Sequence, residues 1–263
     1  QEGVDAVFLG AGLPLKVPDS FLPGPSNPNP PKVIPIVSSA RSAKIIFTSW
    51  ARHYNHVPDA IVVEGPMAGG HLGYKKEQID DPDFCLEKTL RAVLAEVKPF
   101  EERFDKKIPV IAAGGVYSGD DIYRLMQLGA HGVQLATRFV ATFECDASPE
   151  FKKSYLDCKI EDLTIIDSPV GLPGRAIMNS FLEKVKAGLK KPVKCPWLCL
   201  RTCDITRSSY CIGAALTNAK KGIQEKGFAF AGANTYRINK ITSVKELIDS
   251  LLAEYRLALA HAT

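Results

Sequence analysis

Ala60-Ile-Val-Val-Glu64-Gly-Pro-Met-Ala-Gly-Gly-His71-Leu-Gly73 is the stretch that decides how this chain folds. Its apolar start predicts a buried strand, and the glycines that follow predict a loop with almost no side chains. Glycine can adopt positive φ and leaves backbone N–H groups uncovered, which suits the binding of an anion or a flat polar ring. His71 adds a group that can carry or accept a proton near neutral pH. Taken alone, the stretch fits a glycine-rich turn with a solvated histidine equally well.

Strand and helix patterns alternate on both sides of this stretch. Such alternation is typical of a parallel sheet with crossover helices. The apolar runs predict strands at residues 4–9, 33–37, 60–63, 108–113 and 133–136, and the periodic apolar residues predict helices at 40–54, 78–98 and from about 118. Beyond residue 138 the rhythm changes, with an irregular, turn-rich insert at 168–175 and an amphipathic closing helix from residue 243.

Composition excludes several classes of protein. The formal charge of +4 is small for 263 residues and is not gathered into basic blocks, so it gives no reason to expect nucleic acid as a partner. No apolar run approaches the ~18 residues of a membrane-spanning helix, so we expect no membrane association. The first residues show no basic-then-apolar pattern, so export is not expected, and an odd count of seven cysteines favours reduced thiols. A cytoplasmic location is therefore expected.

Two more small-residue loops follow the last two predicted strands. Ala113, Gly114 and Gly115 come after one strand, and Ala136 and Thr137 after the next. Ligands of parallel α/β sheets and barrels bind at the carboxyl ends of the strands, and barrels often hold phosphate after their last two strands. Together with the loop that ends at His71, these loops predict a site for a phosphate-bearing cofactor.

In combination these motifs resemble the nitronate monooxygenase family, also called 2-nitropropane dioxygenase-like, which includes flavin-dependent enoyl-acyl carrier protein reductases. The resemblance extends from Val4 to the closing helix and rests on the motifs at residues 65–73, 109–116 and 132–139, with shorter ones at 10–14, 168–173 and 230–234. It implies an α/β fold of the TIM type, a (β/α)8 barrel that holds FMN without covalent attachment.

The resemblance also implies roles for individual residues. His71 matches the histidine that the family places beside the flavin ring, and it is the predicted catalytic residue. The predicted cofactor-binding residues are Glu64, Ala68, Gly69, Gly70, Ala113, Gly114, Gly115, Ala136 and Thr137. Family members usually have glycine where this chain has Ala136, and a methyl group there still leaves the N–H available.

The number of strand–helix units departs from the family pattern. Only five units can be counted, whereas a barrel has eight in about 250 residues. We therefore expect three N-terminal units to be missing from this chain, removed, or supplied by another polypeptide, with Gln1 an internal residue of a longer chain. An open five-stranded sheet is the alternative, and it would leave strand edges unpaired. The expected parts are the C-terminal part of an FMN-binding barrel at 1–142, a helical and cysteine-bearing insert or lid at 143–230, and a return loop with the closing helix at 231–263.

Two chemistries fit a flavin beside a histidine. As a nitronate monooxygenase, the protein would oxidise alkyl nitronates or nitroalkanes, with His71 orienting or deprotonating the substrate. As an enoyl-acyl carrier protein reductase, it would use NAD(P)H as reductant, with His71 holding the substrate or delivering a proton. We expect a small-molecule substrate in both cases, and a homodimer is a further expectation.

A third hypothesis is that the protein transfers electrons with a flavin and an iron–sulfur cluster. Cys195, Cys199 and Cys203 are spaced by four, which would place them on one helical face, and with Cys211 they could hold zinc or a cluster. The spacing matches no established ligand pattern, and Pro196 would disturb a helix, so we assign no metal ligand.

The sequence gives weaker indications of a role for three more residues, Arg138, Arg237 and His131. Arg138 could reach a phosphate, with an outward ion pair as the alternative reading. Arg237 reads as a packing residue. His131 precedes the fifth strand at its amino end, which is the wrong end for catalysis in this architecture, and is expected to be structural.

Overall fold

The computed structural model describes residues 3–10, 12–25, 27–189, 195, 199 and 203–262. Within these residues the strands are β1 (Ala6–Leu9), β2 (Lys32–Val37), β3 (Ile61–Glu64), β4 (Gly70–His71), β5 (Val110–Ala113), β6 (Gly132–Gln134), β7 (Leu163–Asp167) and β8 (Pro173–Ile177). The α-helices are α1 (Ala40–Tyr54), α2 (Lys76–Ile79), α3 (Leu86–Phe104), α4 (Gly119–Gln127), α5 (Thr137–Val140), α6 (Pro149–Leu156), α7 (Ser180–Lys186), α8 (Ile212–Lys220) and α9 (Val244–His261).

A five-stranded parallel sheet forms the first part of the molecule. Its strand order is β1-β2-β3-β5-β6, so each strand pairs with its predecessor in the βα series. β3 lies at the centre, and Ile61, Val62 and Val63 are fully buried. Ile61 and Val63 belong to the core on the α1 and α3 side, and Val62 packs with apolar side chains of the neighbouring strands on the other face. The predicted α/β fold with a parallel sheet and crossover helices is confirmed.

The helices α1 and α3 cover one face of this sheet and pack against each other. The fully buried ring of Trp50 on α1 also donates from Nε1 to the carbonyl oxygen of Pro14 at 2.6 Å. This bond ties the proline-rich segment before β2 to the core. The Ser39 hydroxyl caps α1 by accepting the N–H of Ser42, and Asn55 ends the helix in the left-handed conformation.

The helix predicted at 78–98 is wrong in its bounds. α2 ends at Ile79, a short 3-10 turn begins at Pro82, and α3 starts only at Leu86. The Asp81 side chain accepts the N–H of Asp83, which starts the turn instead of continuing a helix. α3 then runs past Pro99, because the proline removes one hydrogen bond without ending a long helix that packs against the sheet.

The prediction of an irregular insert at 168–175 is also wrong in part. β7 and β8 form an antiparallel hairpin, and the short strand β4 pairs antiparallel with β8 to make a second sheet in the order β4-β8-β7. Pro173 and Arg175 therefore lie in a strand, and only the connection at 168–172 is irregular. A pairing partner about a hundred residues away leaves no local pattern in the sequence.

The closing helix agrees with the prediction. α9 begins after the capping residue Ser243 and packs against α4. Gly119 makes this contact possible, because a Cβ atom at this position would lie 2.4 Å from the carbonyl oxygen of Leu251. Of the helices in the described part of the chain, none combines the length and the apolar character that crossing a membrane requires.

Candidate functional site

The loops after β3 and β5 meet at the carboxyl edge of the parallel sheet. Glu64 and Ala113 are paired across the two strands, and the N–H of Gly65 donates to the Ala113 carbonyl oxygen at 2.8 Å. A Cβ atom on Gly114 would lie 2.7 Å from the carbonyl oxygen of Gly65. Only glycine therefore allows the two loops to approach this closely.

A return segment near the C-terminus closes the same site. A Cβ atom on Gly69 would lie 2.5 Å from the carbonyl carbon of Ala231, and one on Gly232 would lie 2.8 Å from Thr137 Oγ1. The amide of Asn234 donates to the Gly115 carbonyl oxygen at 2.7 Å. Ala231, Gly232 and Asn234 belong to the return loop expected at 231–263. We call the assembled loops the glycine cradle, consisting of residues 65–70, 113–115, 136–137 and 231–234.

The glycine cradle presents free backbone donors. The N–H groups of Gly69, Gly114 and Gly115 donate to no acceptor in the part of the chain that the structure describes. Gly70, Gly114 and Gly115 have φ of +84°, +88° and +87°, a conformation that L side chains rarely adopt. Free N–H groups on glycines in this conformation suit a phosphate or the polar edge of a ring. The cradle therefore fits the phosphate-bearing cofactor that the sequence predicts.

The other predicted cofactor residues lie at the walls of the cradle. Ala68 is buried, and its N–H donates to the Gly65 carbonyl oxygen at 3.2 Å. Ala136 lies at the N-cap position of the short helix α5, of which Thr137 is the first residue. The structure thus brings together all nine predicted cofactor-binding positions around the same edge of the sheet.

Glu64 supplies an unusual carboxyl group at this edge. Burial raises its pKa to about 7, and within the described residues its carboxylate has no hydrogen-bond donor. The hydroxyl of Tyr74 donates to the Glu64 backbone carbonyl instead, at 2.8 Å. Near neutral pH this carboxyl group is partly protonated and can either donate to or accept from a polar ligand.

His71 stands on β4, beside the cradle, with a defined orientation. Its Nε2 lies 2.7 Å from the hydroxyl oxygen of Ser168, which is buried in the turn between β7 and β8. The ring also contacts the edge of Phe230, with 4.9 Å between centroids. Burial lowers the pKa of His71, so the imidazole is neutral at pH 7 and can accept a proton.

Arg175 secures the cradle from the other face of the small sheet. It pairs with Gly70, whereas His71 pairs with Gly174, so the side chains of Arg175 and His71 project to opposite faces. The Nη2 of Arg175 donates to the Pro66 carbonyl oxygen at 2.9 Å, which holds the loop between β3 and β4. Burial lowers the pKa of this guanidinium.

Sequence reasoning assigned no role to Ser168, Arg175, Phe230 or Asn234. All four lie within or next to the short motifs at 168–173 and 230–234, so the available signal was the presence of those motifs. The expected structural role of His131 is confirmed, since its Nδ1 accepts the N–H of Val110 at 3.2 Å.

The cysteines do not form the arrangement that the iron–sulfur reading needs. Cys195, Cys199 and Cys203 lie outside regular helices, and Cys211 precedes the first residue of α8. Across the described ranges, no three His, Cys, Asp or Glu side chains are grouped to hold a metal ion. Pro196, which entered the same argument, lies outside the described residues.

Curated proteins are similar to part of this chain. A probable nitronate monooxygenase from Staphylococcus saprophyticus is 31% identical over 128 residues, which is 48% of this chain and 34% of the relative. A (3aS,4S,5R,7aS)-5-hydroxy-7a-methyl-1-oxo-octahydro-1H-indene-4-carboxyl-CoA dehydrogenase from Rhodococcus jostii is 30% identical over 154 residues, or 59% of this chain and 36% of the relative. The matched region thus spans about a third of each relative.

Solved structures are similar to this chain over most or nearly all of its length. FabK from Thermotoga maritima superposes with a TM-score of 0.73 and 27% identity, covering 99% of this chain and 71% of that one. A nitroalkane oxidase from Streptomyces ansochromogenes shares the fold, with a TM-score of 0.64 at 22% identity, covering 88% of this chain and 59% of that one. The family model described as nitronate monooxygenase matches residues 31–254. The chain therefore belongs to the nitronate monooxygenase family.

Proposed function

We propose that this chain forms the FMN-binding part of an oxidoreductase that oxidises alkyl nitronates or nitroalkanes. The observation that carries the proposal is the glycine cradle, whose free N–H groups suit a phosphate, with the neutral imidazole of His71 beside it. Gly114, Gly115 and Thr137 would bind the phosphate end of FMN, and Gly69 and Gly70 the ribityl chain. Glu64 would meet the ribityl chain or the ring.

The protein and the cofactor have separate tasks in this proposal. When bound, FMN supplies the electron-accepting chemistry. His71 orients the substrate, or takes the proton from the carbon that bears the nitro group, because its neutral form is available at pH 7. Ser168 and Phe230 hold the imidazole ring in place, so that the base has one orientation relative to the cradle.

A spectrum and a reduction experiment test this function. The purified protein that carries this chain should show the visible absorption bands of oxidised flavin, and heat denaturation should release FMN in solution. Adding propyl nitronate without oxygen should then bleach the bands. A protein that carries stoichiometric FMN but is not bleached by any nitronate would contradict the assignment of substrate while leaving the cofactor in place.

A second function is reduction of an enoyl thioester, with NAD(P)H as reductant. The observation that favours it is the similarity to FabK, an enoyl-acyl carrier protein reductase, over 99% of this chain. In this case His71 would hold the thioester or deliver a proton. Prompt anaerobic bleaching by NADPH or NADH, with no bleaching by nitronate, would establish this function in place of the first one.

We further propose that the five parallel strands are the last five strands of a TIM-type barrel. β1 and β6 are the outer strands of the sheet, and Val4 and Phe8, at or beside β1, are 54% and 52% exposed. Exposed apolar side chains at an unpaired edge favour pairing with further strands. The first three βα units would then come from the same or another polypeptide. Intact-mass analysis of the purified protein, with a search for a co-purifying fragment, tests this proposal, and finding neither would refute it.

A further inference from the structure

Two arginine side chains lie on one tyrosine ring beside the glycine cradle. The guanidinium carbon of Arg237 is 4.0 Å from the centroid of the Tyr117 ring, and that of Arg138 is 4.8 Å from it. Arg138 Nη1 also donates to the Tyr117 carbonyl oxygen at 2.8 Å. The structure therefore holds two positive charges within reach of the same ring, which stabilises both of them through cation–π contacts.

No carboxylate of the described residues neutralises this pair. Among the described residues, neither Arg138 nor Arg237 has a carboxylate partner at ion-pair distance. Burial raises the pKa of Tyr117, and Glu254 is the carboxylate whose charge raises it further. Its two oxygens, however, accept from the Gly119 N–H and the Ser250 hydroxyl. Each guanidinium has five N–H donors, and the bond from Arg138 to Tyr117 uses only one of them. The pair is therefore able to bind an anion in several contacts.

The arginine pair is continuous with the cradle. Tyr117 follows Gly115 by two residues, Arg138 follows Thr137 directly, and Arg237 ends the turn that begins after Asn234. Asn234 in turn donates to the Gly115 carbonyl oxygen. Arg237 packs on Tyr117, as the sequence predicts, and the ion pair considered for Arg138 is not found among the described residues.

We infer that Arg138 and Arg237, held on Tyr117, form a phosphoryl-binding site at the rim of the glycine cradle. The inference rests on the proposed flavin site and adds charged side chains to its backbone donors. Guanidinium groups bind phosphate oxygens in a bidentate manner, and such charge-assisted bonds are stronger than those from neutral N–H groups. The phosphoryl group can belong to FMN itself or to the diphosphate of a second ligand, since a relative acts on a coenzyme A ester.

Flavin selectivity tests the first source. We would measure the dissociation constants of FMN and riboflavin, which differ only in the phosphate, for the wild type, R138Q, R237Q and the double variant. If the site binds the cofactor phosphate, the double variant loses at least about tenfold in FMN affinity and keeps its riboflavin affinity. Arg→Lys variants should recover part of the loss, because lysine keeps the charge without the planar fork.

The affinity for adenosine 5′-diphosphate tests the second source of the phosphoryl group, the diphosphate of another ligand. If the site binds the diphosphate of a second ligand, the double variant keeps its preference for FMN over riboflavin and loses at least about tenfold in affinity for adenosine 5′-diphosphate. The matched control is R103Q, since Arg103 also lies over an aromatic ring, that of Phe104, in the helix α3. It should change neither measurement.

A clear result would overturn the inference. If the double variant has wild-type affinities for FMN, riboflavin and adenosine 5′-diphosphate, the two arginines only pack on Tyr117. Far-UV circular dichroism and a thermal melt of every variant identify any that fail to fold, and for those the single and lysine variants decide. A wild-type protein that binds no flavin at all would instead refute the proposed function, so the two failures are distinguishable.

Discussion

The Nε2 of His71 and the hydroxyl oxygen of Ser168 are 2.7 Å apart, although 97 residues separate them in the chain. The pair joins β4, which follows the cradle loop, to the turn of the β7–β8 hairpin. This hydrogen bond, together with the contact to the Phe230 ring, restricts the orientation of the imidazole. The turn between β7 and β8 therefore positions the proposed base, although this turn is not one of the loops that form the cradle.

Replacing His71 with alanine should separate binding from turnover. We expect FMN affinity to stay within about threefold, because the cradle's donors are backbone groups, and kcat to fall by about 10²- to 10⁴-fold, the usual contribution of a positioned proton-transfer group. Flavin titration and steady-state assays measure the two effects. His131→Ala is the control, since it should reduce stability and leave kcat unchanged. Loss of flavin from His71→Ala would show that the residue binds the cofactor instead.

Replacing Ser168 with alanine tests the positioning of the imidazole. We expect kcat to fall by about tenfold, because the ring loses the bond that orients it, and KM and FMN affinity to change little. Ser168→Thr keeps a hydroxyl and should restore part of the rate. If Ser168→Ala lowers stability and leaves kcat unchanged, the hydroxyl has a structural role only.

Adding a methyl group at Gly69 should open the cradle. Its Cβ would lie 2.5 Å from the backbone of Ala231, which cannot move without displacing the return segment. We expect Gly69→Ala to cost about 1–3 kcal/mol in the free energy of unfolding and to weaken FMN binding. Gly213→Ala, at an exposed position of α8 where a methyl group meets nothing within 4 Å, should be neutral or slightly stabilising. Chemical denaturation and flavin titration of both variants provide the comparison.

The carboxyl group of Glu64 should make stability fall as the pH rises. Its pKa is raised from 4.5 to about 7 in the folded protein, so the folded state binds more protons than the unfolded state between these values. The stabilising contribution of the Glu64 carboxyl group is then fully present below pH 4.5 and is lost as the pH rises through about 7. Glu64→Gln removes this contribution, and we expect its stability relative to wild type to improve by about 1–3 kcal/mol between about pH 5 and pH 8. A pH-independent difference in urea unfolding would contradict the assigned pKa.

Much of the parallel sheet could be predicted from the sequence because its signals are local. α1 was predicted with its observed bounds, since a serine cap, an apolar period and a left-handed Asn55 lie within one short segment. The cradle residues could be predicted for a related reason. Their glycines follow buried strands directly, and the carboxyl ends of neighbouring parallel strands meet at one edge of the sheet.

The residues that orient His71 could not be predicted in the same way. Ser168 and Phe230 lie far from it in the chain and reach it through antiparallel pairing of two short strands and an isolated bridge between Ala176 and Phe230. Proline and glycine in β8 resemble loop residues, so the local composition favoured a turn. The pair of arginines on Tyr117 was missed because stacking on a ring requires three loops to be placed in space.

The pairing of β4 with the β7–β8 hairpin has a consequence for how such proteins diversify. The cofactor's polar chain would rest on loops of the parallel sheet, whereas the imidazole of His71 would be oriented by Ser168, which lies in the turn of a separate hairpin. Insertions or exchanges in the turn at residues 168–172 can therefore change how the proposed base is oriented, while the bond from Arg175 to Pro66 and the backbone donors of the cradle are kept. Relatives that share the cradle could in this way differ in substrate through changes confined to this one turn.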